Sequence, residues 1–344
     1  MAIQKIGIDD FIKNRNECLV LDVRSPGEYL HAHIPNAYSL PLFTDQERKV
    51  VGTAYKQESK EKAIKIGLDY FGPKMRAMVE EVEDFVKSGN KKILVHCWRG
   101  GMRSGGVAWL LDLYGFKVYQ LTGGYKAYRN WVLGQFEKPY DFKIISGNTG
   151  SGKTPLLHEL EKSGMQMIDL EALAHHKGSA LGGINQPPQP SQELFENLLA
   201  DKLFAKKVEE SILLEDESQR VGNVNIPNAL WQKMKVSELI YLQIPFEERL
   251  KYLVEEYGKL PLEEIKSAIL RIQKRLGGLE TKNAISHLEE GNLSACFGIL
   301  LRYYDKWYEK GLNSKEKGEI IKIEGESVNK EINAKKIIER IWKK

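Results

Sequence analysis

The first part of the chain alternates short apolar runs with longer amphipathic runs. A short apolar run at residues 19–23 and a buried-strand run at 93–96 predict two strands, and residues 117–120 have the pattern of a further strand. Apolar positions recur at helical spacing over residues 74–87 and about 125–135, which predicts two amphipathic helices. Strands that alternate with helices in this way are typical of a parallel sheet.

The same alternation restarts after residue 140. Further strands are predicted at residues 142–146, 165–170, 212–215, 239–244 and 320–323. A helix is expected from Lys153, and a last helix over residues 329–342. The stretch 247–310 is charged and helical in pattern, without a strand signal, and the Pro-rich stretch 182–190 predicts an exposed loop.

These patterns predict an α/β protein of two parallel-sheet domains. The pair Lys138-Pro139 interrupts the helix at the end of the first part, which favours a boundary there. We therefore expect a first domain over residues 1–137 and a second over 138–344. The second domain would contain a helical part at about 246–312.

Composition limits the function classes. With 344 residues, 42% hydrophobic and 28% charged, the chain can bury two ordinary cores. No apolar run is long enough to cross a bilayer, so no membrane association and a cytoplasmic location are expected. The three scattered cysteines Cys18, Cys97 and Cys296 suggest neither a disulfide framework nor a thiolate metal site. A net charge of +4 is too small to indicate a nucleic-acid partner by itself.

Cys97 lies in a loop suited to bind an anion. The segment 96–104 reads HCWRGGMRS, directly after a predicted strand and before a helical run. The free N–H groups at a helix N-terminus stabilise negative charge, and Arg99 and Arg103 add fixed positive charge. These features favour a nucleophilic thiolate at Cys97. A buried cysteine that merely ends a strand would need neither the two arginines nor the paired glycines.

The segment before this loop resembles the opening motif of rhodanese-fold domains. Residues 22–37 read DVRSPGEYLHAHIPNA, in which Asp22 and Arg24 belong to the family's Asp-Val-Arg. The resemblance implies a rhodanese-like first domain in which Cys97 carries sulfur or selenium as a persulfide or perselenide. Asp22 and Arg24 would support the active loop.

The spacing within the loop departs from ordinary sulfurtransferases. Five residues separate Cys97 from Arg103, whereas four are usual in that family. The wider spacing resembles the loop of tyrosine phosphatases and of phosphatases with a rhodanese fold, and it fits a phosphate-sized anion. Selenophosphate is such an anion. The loop alone therefore leaves selenium transfer and phosphatase activity both open.

A second phosphate-binding loop follows the strand at 142–146. It matches the P-loop pattern G-x4-G-K-[ST], with a strand before it and a helix after it. Its residues are Gly147, Asn148, Thr149, Gly150, Ser151, Gly152, Lys153 and Thr154. Backbone N–H groups would hold a diphosphate, and Lys153 would reach its terminal oxygens. The pattern indicates a ligand with a diphosphate, which need not be ATP.

Carboxylates end the predicted strand at 212–215. Glu215, Asp216 and Glu217 occupy the position where P-loop folds carry a metal-directed acid. A Mg²⁺ ion held by Thr154 and Asp216 is therefore a candidate, while a solvated acidic strand end is the alternative. No tightly bound cofactor is expected.

The two loops together resemble the tRNA 2-selenouridine synthase family, in which a rhodanese-like domain precedes a P-loop domain. The resemblance extends to VGTAYKQ at 51–57, HHKGSALG at 175–182, PPQPSQELFEN at 187–197 and EDESQRVG at 215–222. It adds the following supporting residues to the candidate site: His176, Lys177, Gly178, Ser179 and Arg220. His175 and Lys177 depart mildly from the family's Asn and Arg.

The family resemblance implies a two-step reaction on the wobble uridine of tRNA. The 2-thio group is geranylated from geranyl diphosphate, and the S-geranyl group is then replaced by selenium from selenophosphate. A P-loop suits the diphosphate of the prenyl donor, and Arg99 and Arg103 suit a departing phosphate. The resemblance also suggests an enzyme that supplies selenophosphate as a partner.

Basic residues in the helical part are the candidate tRNA surface. Lys266, Arg271, Lys274 and Arg275 cluster within the predicted helical segment 251–282. A solvated charged face is the alternative, because glutamates lie among them. Two rival classes for the whole chain remain: a rhodanese-fold phosphatase fused to an ATP-binding P-loop domain, and a non-enzymatic regulator that senses redox state through Cys97.

Overall fold

The computed structural model describes residues 3–86, 92–312 and 318–342. The chain forms two compact units. The first consists of Met1–Gln135 with the short segment Glu196–Asp201, and the second of Phe136–Phe195 with Lys202–Lys344. The grouping of Glu196–Asp201 with the first unit is not indicated by the sequence.

The first unit is built on a five-stranded parallel sheet with strand order β1-β5-β4-β2-β3. Its strands are β1 (Gln4–Ile6), β2 (Leu19–Asp22), β3 (Tyr38–Ser39), β4 (Lys92–His96) and β5 (Lys117–Leu121). Its helices are α1 (Ile8–Asn14), α2 (Pro26–His31), α3 (Asp45–Gln57), α4 (Lys60–Phe71), α5 (Met75–Val86), α6 (Met102–Tyr114) and α7 (Gly124–Glu137). A short 3-10 turn, Gly72–Lys74, joins α4 to α5.

The centre of this sheet is apolar because both of its faces are covered by helices. Ile93, Leu94 and Val95 of β4 are fully buried. Val107 and Leu111 of α6 pack in the same core. Strand β4 therefore delivers the residue that follows it, Cys97, at the carboxyl edge of a buried parallel sheet, where ligand sites of open α/β folds lie.

The second unit has its own five-stranded parallel sheet with strand order β12-β11-β6-β8-β7. Its strands are β6 (Phe142–Ser146), β7 (Gln166–Met167), β8 (Ile212–Glu215), β11 (Glu238–Gln243) and β12 (Ile320–Glu324). A separate two-stranded antiparallel ribbon consists of β9 (Arg220–Val221) and β10 (Val224–Asn225).

Ten helices follow α7 among the described residues, and one of them, α10, contains the segment Glu196–Asp201 of the first unit. They are α8 (Lys153–Lys162), α9 (Leu170–Ala174), α10 (Gln192–Phe204), α11 (Asn228–Val236), α12 (Phe246–Tyr257), α13 (Leu262–Arg271), α14 (Gln273–Leu276), α15 (Gly278–Glu289), α16 (Leu293–Leu312) and α17 (Lys330–Ile341). Among the described residues, no helix is long and apolar enough to cross a membrane.

Two predicted elements differ from the structure. The strand predicted over 165–170 is only Gln166–Met167. The Asp169 carboxylate accepts the N–H of Ala172 at 2.7 Å and thereby starts helix α9 at Leu170. The helical segment 251–282 is divided among four helices, because the chain leaves helical geometry at Gly277 with φ of 98° and turns between α12 and α13.

Candidate active site

Cys97 begins the anion-binding loop of the first unit. The thiol is buried, with the residue 3% exposed. Its Sγ lies 3.2 Å from Ser104 Oγ, which is itself 3.2 Å from the carbonyl of Gly101. Gln120 Nε2 donates to Ser104 Oγ at 2.8 Å, so the hydroxyl proton of Ser104 can point either to the sulfur or to that carbonyl. A hydroxyl that donates to sulfur stabilises the thiolate.

The loop is fixed in place by the turn that begins α7. The N–H of Tyr125 donates to the carbonyl of Cys97 at 2.8 Å, and the N–H of Lys126 donates to that of Trp98 at 3.0 Å. The backbones approach so closely that a Cβ on Gly124 would lie 2.3 Å from the Cys97 carbonyl oxygen. The carbonyls of Cys97 and Trp98 point toward α7. The N–H groups in the first turn of α6 have no partner within that helix, so they can bind an anion.

The two loop arginines differ in their surroundings. Arg103 Nη1 donates to Glu28 Oε2 at 2.7 Å, so its guanidinium is paired with a carboxylate. The Arg48 guanidinium also pairs with Glu28, with Nε 2.9 Å from Oε2. Burial alone would raise the pKa of Glu28. The hydrogen bond and the charge of Arg103 outweigh burial and hold this pKa below its usual value. Arg99 is exposed, and the described residues give it no hydrogen bond or ion pair. Arg99 is therefore the loop arginine available to an incoming anion.

Asp22 and Arg24 form a buried pair behind the loop. Arg24 Nη2 donates to Asp22 Oδ2 at 2.6 Å and to the carbonyl of Ala32 at 2.7 Å. The guanidinium lies over the Tyr125 ring, 3.8 Å from its centroid. Burial alone would raise the pKa of Asp22, but the charges of His96 and Arg24 and the Arg24 hydrogen bonds lower it. The pair anchors both the turn after β2 and the start of α7, which fits a supporting role.

The P-loop of the second unit joins β6 to α8. Gly147, Gly150 and Gly152 have positive φ angles of 155°, 80° and 73°. Lys153 Nζ donates to the carbonyl of Gly147 at 3.0 Å, so the lysine closes over its own loop. The described residues give Lys153 no ion pair, although the charge of Glu171 acts on it, so a diphosphate oxygen can replace this carbonyl as its partner.

A network of side chains supports the loop from α12 and α16. Arg249 donates to Asp305 through two nitrogens, at 2.9 and 2.8 Å, and to the carbonyl of Thr149 at 3.1 Å. Asp305 also accepts from Asn148 Nδ2 at 2.9 Å, and the Tyr241 hydroxyl donates to Asn148 Oδ1 at 2.7 Å. Local sequence patterns do not indicate this network, because its members lie 93 to 157 positions from the loop residues that they contact.

The three carboxylates at the end of β8 have different environments. Asp216 Oδ2 accepts from Ser146 at 2.6 Å and from the Tyr308 hydroxyl at 2.7 Å. Glu215 is fully buried, and neither of its carboxylate oxygens has a hydrogen-bond partner among the described residues. A Cβ on Gly178 would lie 2.8 Å from both Glu217 oxygens and from Glu171 Oε1, so these carboxylates lie against the backbone of Gly178.

Glu171 joins this cluster although no motif pointed to it. Thr154 Oγ1 donates to Glu171 Oε2 at 3.1 Å. Burial and the repulsion of Glu171 raise the pKa of Glu215 well above its usual value. Burial and the same repulsion also raise that of Glu217. Because like charges in a buried cluster repel, the cluster favours protons or a cation.

A Mg²⁺ ion at this P-loop would take only some of its ligands from the protein. Within the described ranges, no group of three or more His, Cys, Asp or Glu side chains is placed to hold a metal ion alone. The unpartnered carboxylate of Glu215 and the hydroxyl of Thr154 nevertheless fit a P-loop ion that takes its other ligands from phosphate and water. Asp216, already bound by Ser146 and Tyr308, is less free to serve than the sequence suggested.

The predicted supporting residues at 176–179 lie beside the acidic cluster. His176 is half-buried, and its Nδ1 has no hydrogen-bond partner in the described part of the chain. Burial lowers the pKa of His176. Lys177 pairs with Glu256 at 2.7 Å, and Ser179 Oγ accepts the N–H of Leu181 at 3.3 Å. Arg220 lies on the antiparallel ribbon, exposed, and donates to the carbonyl of Gly222.

The predicted tRNA-binding residues lie on two helices. Lys266 and Arg271 belong to α13, and Lys274 and Arg275 to α14. Lys266 is paired with Glu289 at 2.5 Å, and Arg271 donates to the carbonyl of Ala180 at 3.0 Å. Lys274 and Arg275 are exposed, and their side chains form no hydrogen bond or ion pair in the described residues.

Comparison with known proteins agrees with this architecture. A model of the rhodanese-like domain matches residues 8–130. A model described as the tRNA 2-selenouridine synthase AAA domain matches residues 140–337. The loops and the parallel sheets that carry them thus define a fusion of a rhodanese-like domain with a P-loop domain.

Full-length relatives then give the family. A tRNA 2-selenouridine synthase of Sulfurovum sp. (strain NBC37-1) is 35% identical over 86% of this chain and 88% of its own. That of Hydrogenovibrio crunogenus is 34% identical over 86% of this chain and 90% of its own. The chain belongs to the tRNA 2-selenouridine synthase family, whose members are tRNA-modifying transferases.

One solved structure is also similar in sequence to part of the chain. The N-terminal domain of a protein from Clostridium difficile 630, described as ATP/GTP binding, is 42% identical over 38% of this chain and 99% of its own. Its TM-score is 0.36, a value that supports no conclusion about the fold.

Proposed function

We propose that this enzyme converts 2-thiouridine at the wobble position of tRNA to 2-selenouridine through an S-geranyl intermediate. The observation that carries the proposal is the presence of both anion-binding loops in one chain of this family. Cys97 lies in one, and Lys153 lies in the other. Two loops are needed because the reaction uses two phosphorus-containing substrates, geranyl diphosphate and selenophosphate.

The P-loop serves the first step. The sulfur of the thiouridine attacks the first carbon of the geranyl chain, the carbon–oxygen bond breaks, and diphosphate leaves. The proton on N3 of the base passes to water. Lys153 and the loop N–H groups hold that diphosphate and stabilise its growing charge. A Mg²⁺ ion bound near Thr154 and the Glu215 carboxylate would supply further positive charge there.

The Cys97 loop serves the second step. Selenium forms a bond to the pyrimidine carbon that carries the S-geranyl group, and geranyl thiolate leaves. The phosphorus–selenium bond of selenophosphate is cleaved, with water taking the phosphoryl group as phosphate. We assign Cys97 to the handling of selenium and the exposed Arg99 to the binding of the phosphate oxyanion, with Arg103 held beside them on Glu28.

The tRNA presents its wobble base outside the stack. Enzymes that modify a base flip it out of the stack. The wobble base must likewise be unstacked before its 2-position can react. Lys274, Arg275 and Arg220 are exposed cations suited to phosphate contacts. An enzyme that makes selenophosphate is the expected upstream partner, and both proteins would work in the cytoplasm.

Nucleoside mass spectrometry tests the proposal. Thiolated tRNA is incubated with the enzyme and geranyl diphosphate, with and without selenophosphate. We expect S-geranyl-2-thiouridine without selenophosphate and 2-selenouridine with it. Selenouridine formed equally well without geranyl diphosphate would overturn the geranyl route, and hydrolysis of an aryl phosphate without any change in tRNA would favour the phosphatase alternative.

A further inference from the structure

A cavity of about 300 Å³ opens beside the P-loop, within the second unit. Its wall combines the loop with α8, α12 and the segment that leads into α17. The residues that shape it are Ser151, Gly152, Pro155, Leu156, Tyr252 and Val328. This volume lies at the lower end of the range of about 300–1,000 Å³ for small-molecule pockets, so it suits one small organic group.

The cavity is continuous with the phosphate-binding loop. A Cβ on Gly152 would lie 2.5 Å from Val328 Cγ1, so Val328 packs directly on the loop backbone. The hydroxyl of Ser151 is buried and has no hydrogen-bond partner among the described residues. A loop hydroxyl in that state is ready to donate to a phosphate oxygen. A ligand with its diphosphate in the loop would therefore extend its organic part into the cavity.

Pro155 makes the cavity wall apolar where the P-loop continues into α8. It is the third residue of α8, where the N–H groups of the first turn lack partners within the helix. A proline has no N–H, so this position offers no donor to a ligand oxygen. Its ring and the Leu156 side chain present carbon instead.

The polar side chains that residues 329–333 add to the wall are engaged in the protein. Asn329 Oδ1 accepts the N–H of Ile332 at 3.0 Å, and Asn333 Nδ2 donates to the carbonyl of Ser327 at 2.9 Å. Lys330 and Glu331 form an ion pair, with Nζ 3.9 Å from Oε1. A nucleobase requires donors and acceptors that remain free, whereas a hydrocarbon chain requires only shape and carbon contact.

We propose that this cavity holds the hydrocarbon chain of the prenyl diphosphate and sets the chain length that the enzyme accepts. The inference rests on the proposed function, because that function supplies the prenyl donor. Val328 limits the cavity next to the loop, and Tyr252 limits it on the side of α12. The distance between Val328 and Tyr252 therefore sets the length of prenyl chain that the enzyme prefers.

Two substitutions of opposite sense test the assignment. Val328→Phe fills the cavity, so KM for geranyl diphosphate should rise by about tenfold or more, the cost of a misfit in an apolar pocket. The five-carbon dimethylallyl diphosphate should be affected less. Tyr252→Ala enlarges the cavity and should raise kcat/KM for the fifteen-carbon farnesyl diphosphate relative to geranyl diphosphate. Transfer of each group to thiolated tRNA is measured by nucleoside mass spectrometry.

Inorganic diphosphate and a matched variant serve as controls. Binding of inorganic diphosphate reports the loop itself and should be unchanged in both cavity variants. Ile332→Phe places the same ring on α17 at an exposed position outside the cavity wall, and its KM should stay at the wild-type value.

The possible failures are distinguishable. If no prenyl diphosphate reacts with the wild-type enzyme, the proposed function fails. If geranyl diphosphate reacts but neither variant changes the preference among the three chain lengths, the cavity assignment fails. Weakened binding of ATP in Val328→Phe, with prenyl transfer intact, would assign the cavity to a nucleoside instead.

Discussion

At the scale of single residues, Cys97 differs sharply from the other two cysteines. Cys296 is fully buried in the helical part, and burial raises the pKa of its thiol to about 11. Cys18 is partly exposed, and its pKa is raised by burial too. Only Cys97 has a glycine-rich loop, the Ser104 hydroxyl and a helix N-terminus around it.

Cys97→Ser should therefore abolish the selenium step alone. We expect geranylated tRNA to accumulate while the rate of selenouridine formation falls by orders of magnitude, as after removal of a catalytic nucleophile. Mass spectrometry of the nucleosides gives both quantities from one sample. Cys18→Ser is the control and should behave as wild type. A normal yield of selenouridine from Cys97→Ser would exclude this cysteine as the selenium-handling group.

His96 makes the folding stability of the first unit depend on pH. The imidazole is fully buried and neither nitrogen has a hydrogen-bond partner among the described residues. Burial lowers its pKa from 6.5, while the charge of Asp22 opposes that shift. The unfolded chain therefore binds the proton more readily than the folded chain. The contribution of neutral His96 to the free energy of unfolding is fully present above pH 6.5. This contribution is lost as the pH falls below that value.

His96→Gln should weaken that dependence. The glutamine does not titrate, so its melting temperature should fall less than that of wild type between pH 7.5 and pH 5.5. Differential scanning calorimetry at both pH values measures the two changes. His158→Gln, at a half-exposed position, is the matched control. Equal pH dependence in wild type and His96→Gln would show that the buried imidazole is not the source.

At the scale of elements, the break between α13 and α14 changes the expected tRNA surface. One helix face cannot present all four basic residues, because two lie on each helix. Lys266 and Arg271 are already engaged by Glu289 and by the Ala180 carbonyl. The exposed pair on α14, Lys274 and Arg275, is the better candidate for phosphate contacts.

Replacing Lys274 and Arg275 together by Ala tests that surface. The slope of log affinity against log salt should become shallower by up to about two units, roughly 0.9 per lost phosphate contact. A salt titration of tRNA binding measures it, and geranyl diphosphate affinity should not change. Lys266→Ala removes a lysine that is already paired and should leave the slope nearly unaltered. Identical slopes for wild type and the double variant would show that α14 is a solvated face.

The sequence predicted the parts of the fold whose signals are local. The strand Phe142–Ser146 and the loop after it follow from a short apolar run and a fixed pattern of glycines and lysine. Likewise, the strand before Cys97 follows from three apolar residues in a row, Ile93 to Val95. Helices α3 and α4 were not predicted, although the family resemblance marked part of α3, because their apolar positions are few and spread among charged residues.

Contacts between distant residues were beyond the sequence patterns. Arg103 meets Glu28 across 75 positions of the chain, and Arg249 meets Thr149 across 100. No local pattern indicates Glu171 as the partner of Thr154. The position of α9 beside the P-loop brings the Glu171 side chain to Thr154. Periodicity reports which face of an element is buried, but the partner that covers that face depends on the whole topology.

At the scale of the whole molecule, the two loops imply a division of labour. Lys153→Ala removes the charge that holds the diphosphate, so geranyl transfer should fall by about 10² to 10³-fold. The Cys97 loop belongs to the other unit and should remain competent. Supplying tRNA that already carries the S-geranyl group should therefore restore selenouridine formation, as measured by mass spectrometry.

A control and a contrary outcome complete this experiment. Lys162→Ala removes a lysine at the far end of α8, where it pairs with Glu159, and should leave both steps intact. If Lys153→Ala transfers geranyl normally but no longer hydrolyses ATP, the P-loop serves a nucleotide. If pre-geranylated tRNA is not converted by Lys153→Ala, the two loops do not act independently.

The position of β1 at the edge of the first sheet has a consequence for synthesis on the ribosome. Gln4 pairs with Tyr119, and Ile6 with Leu121, so the first strand made is completed by the last strand of its sheet. Until residue 121 has emerged, β1 lacks its partner strand β5, and until residue 96 has emerged, Phe11 of α1 lacks the His96 ring that it contacts. Such long-range closure is slow compared with local helix formation. The nascent chain therefore leaves β1 unpaired until β5 has been synthesised, a period in which a chaperone would protect it from aggregation.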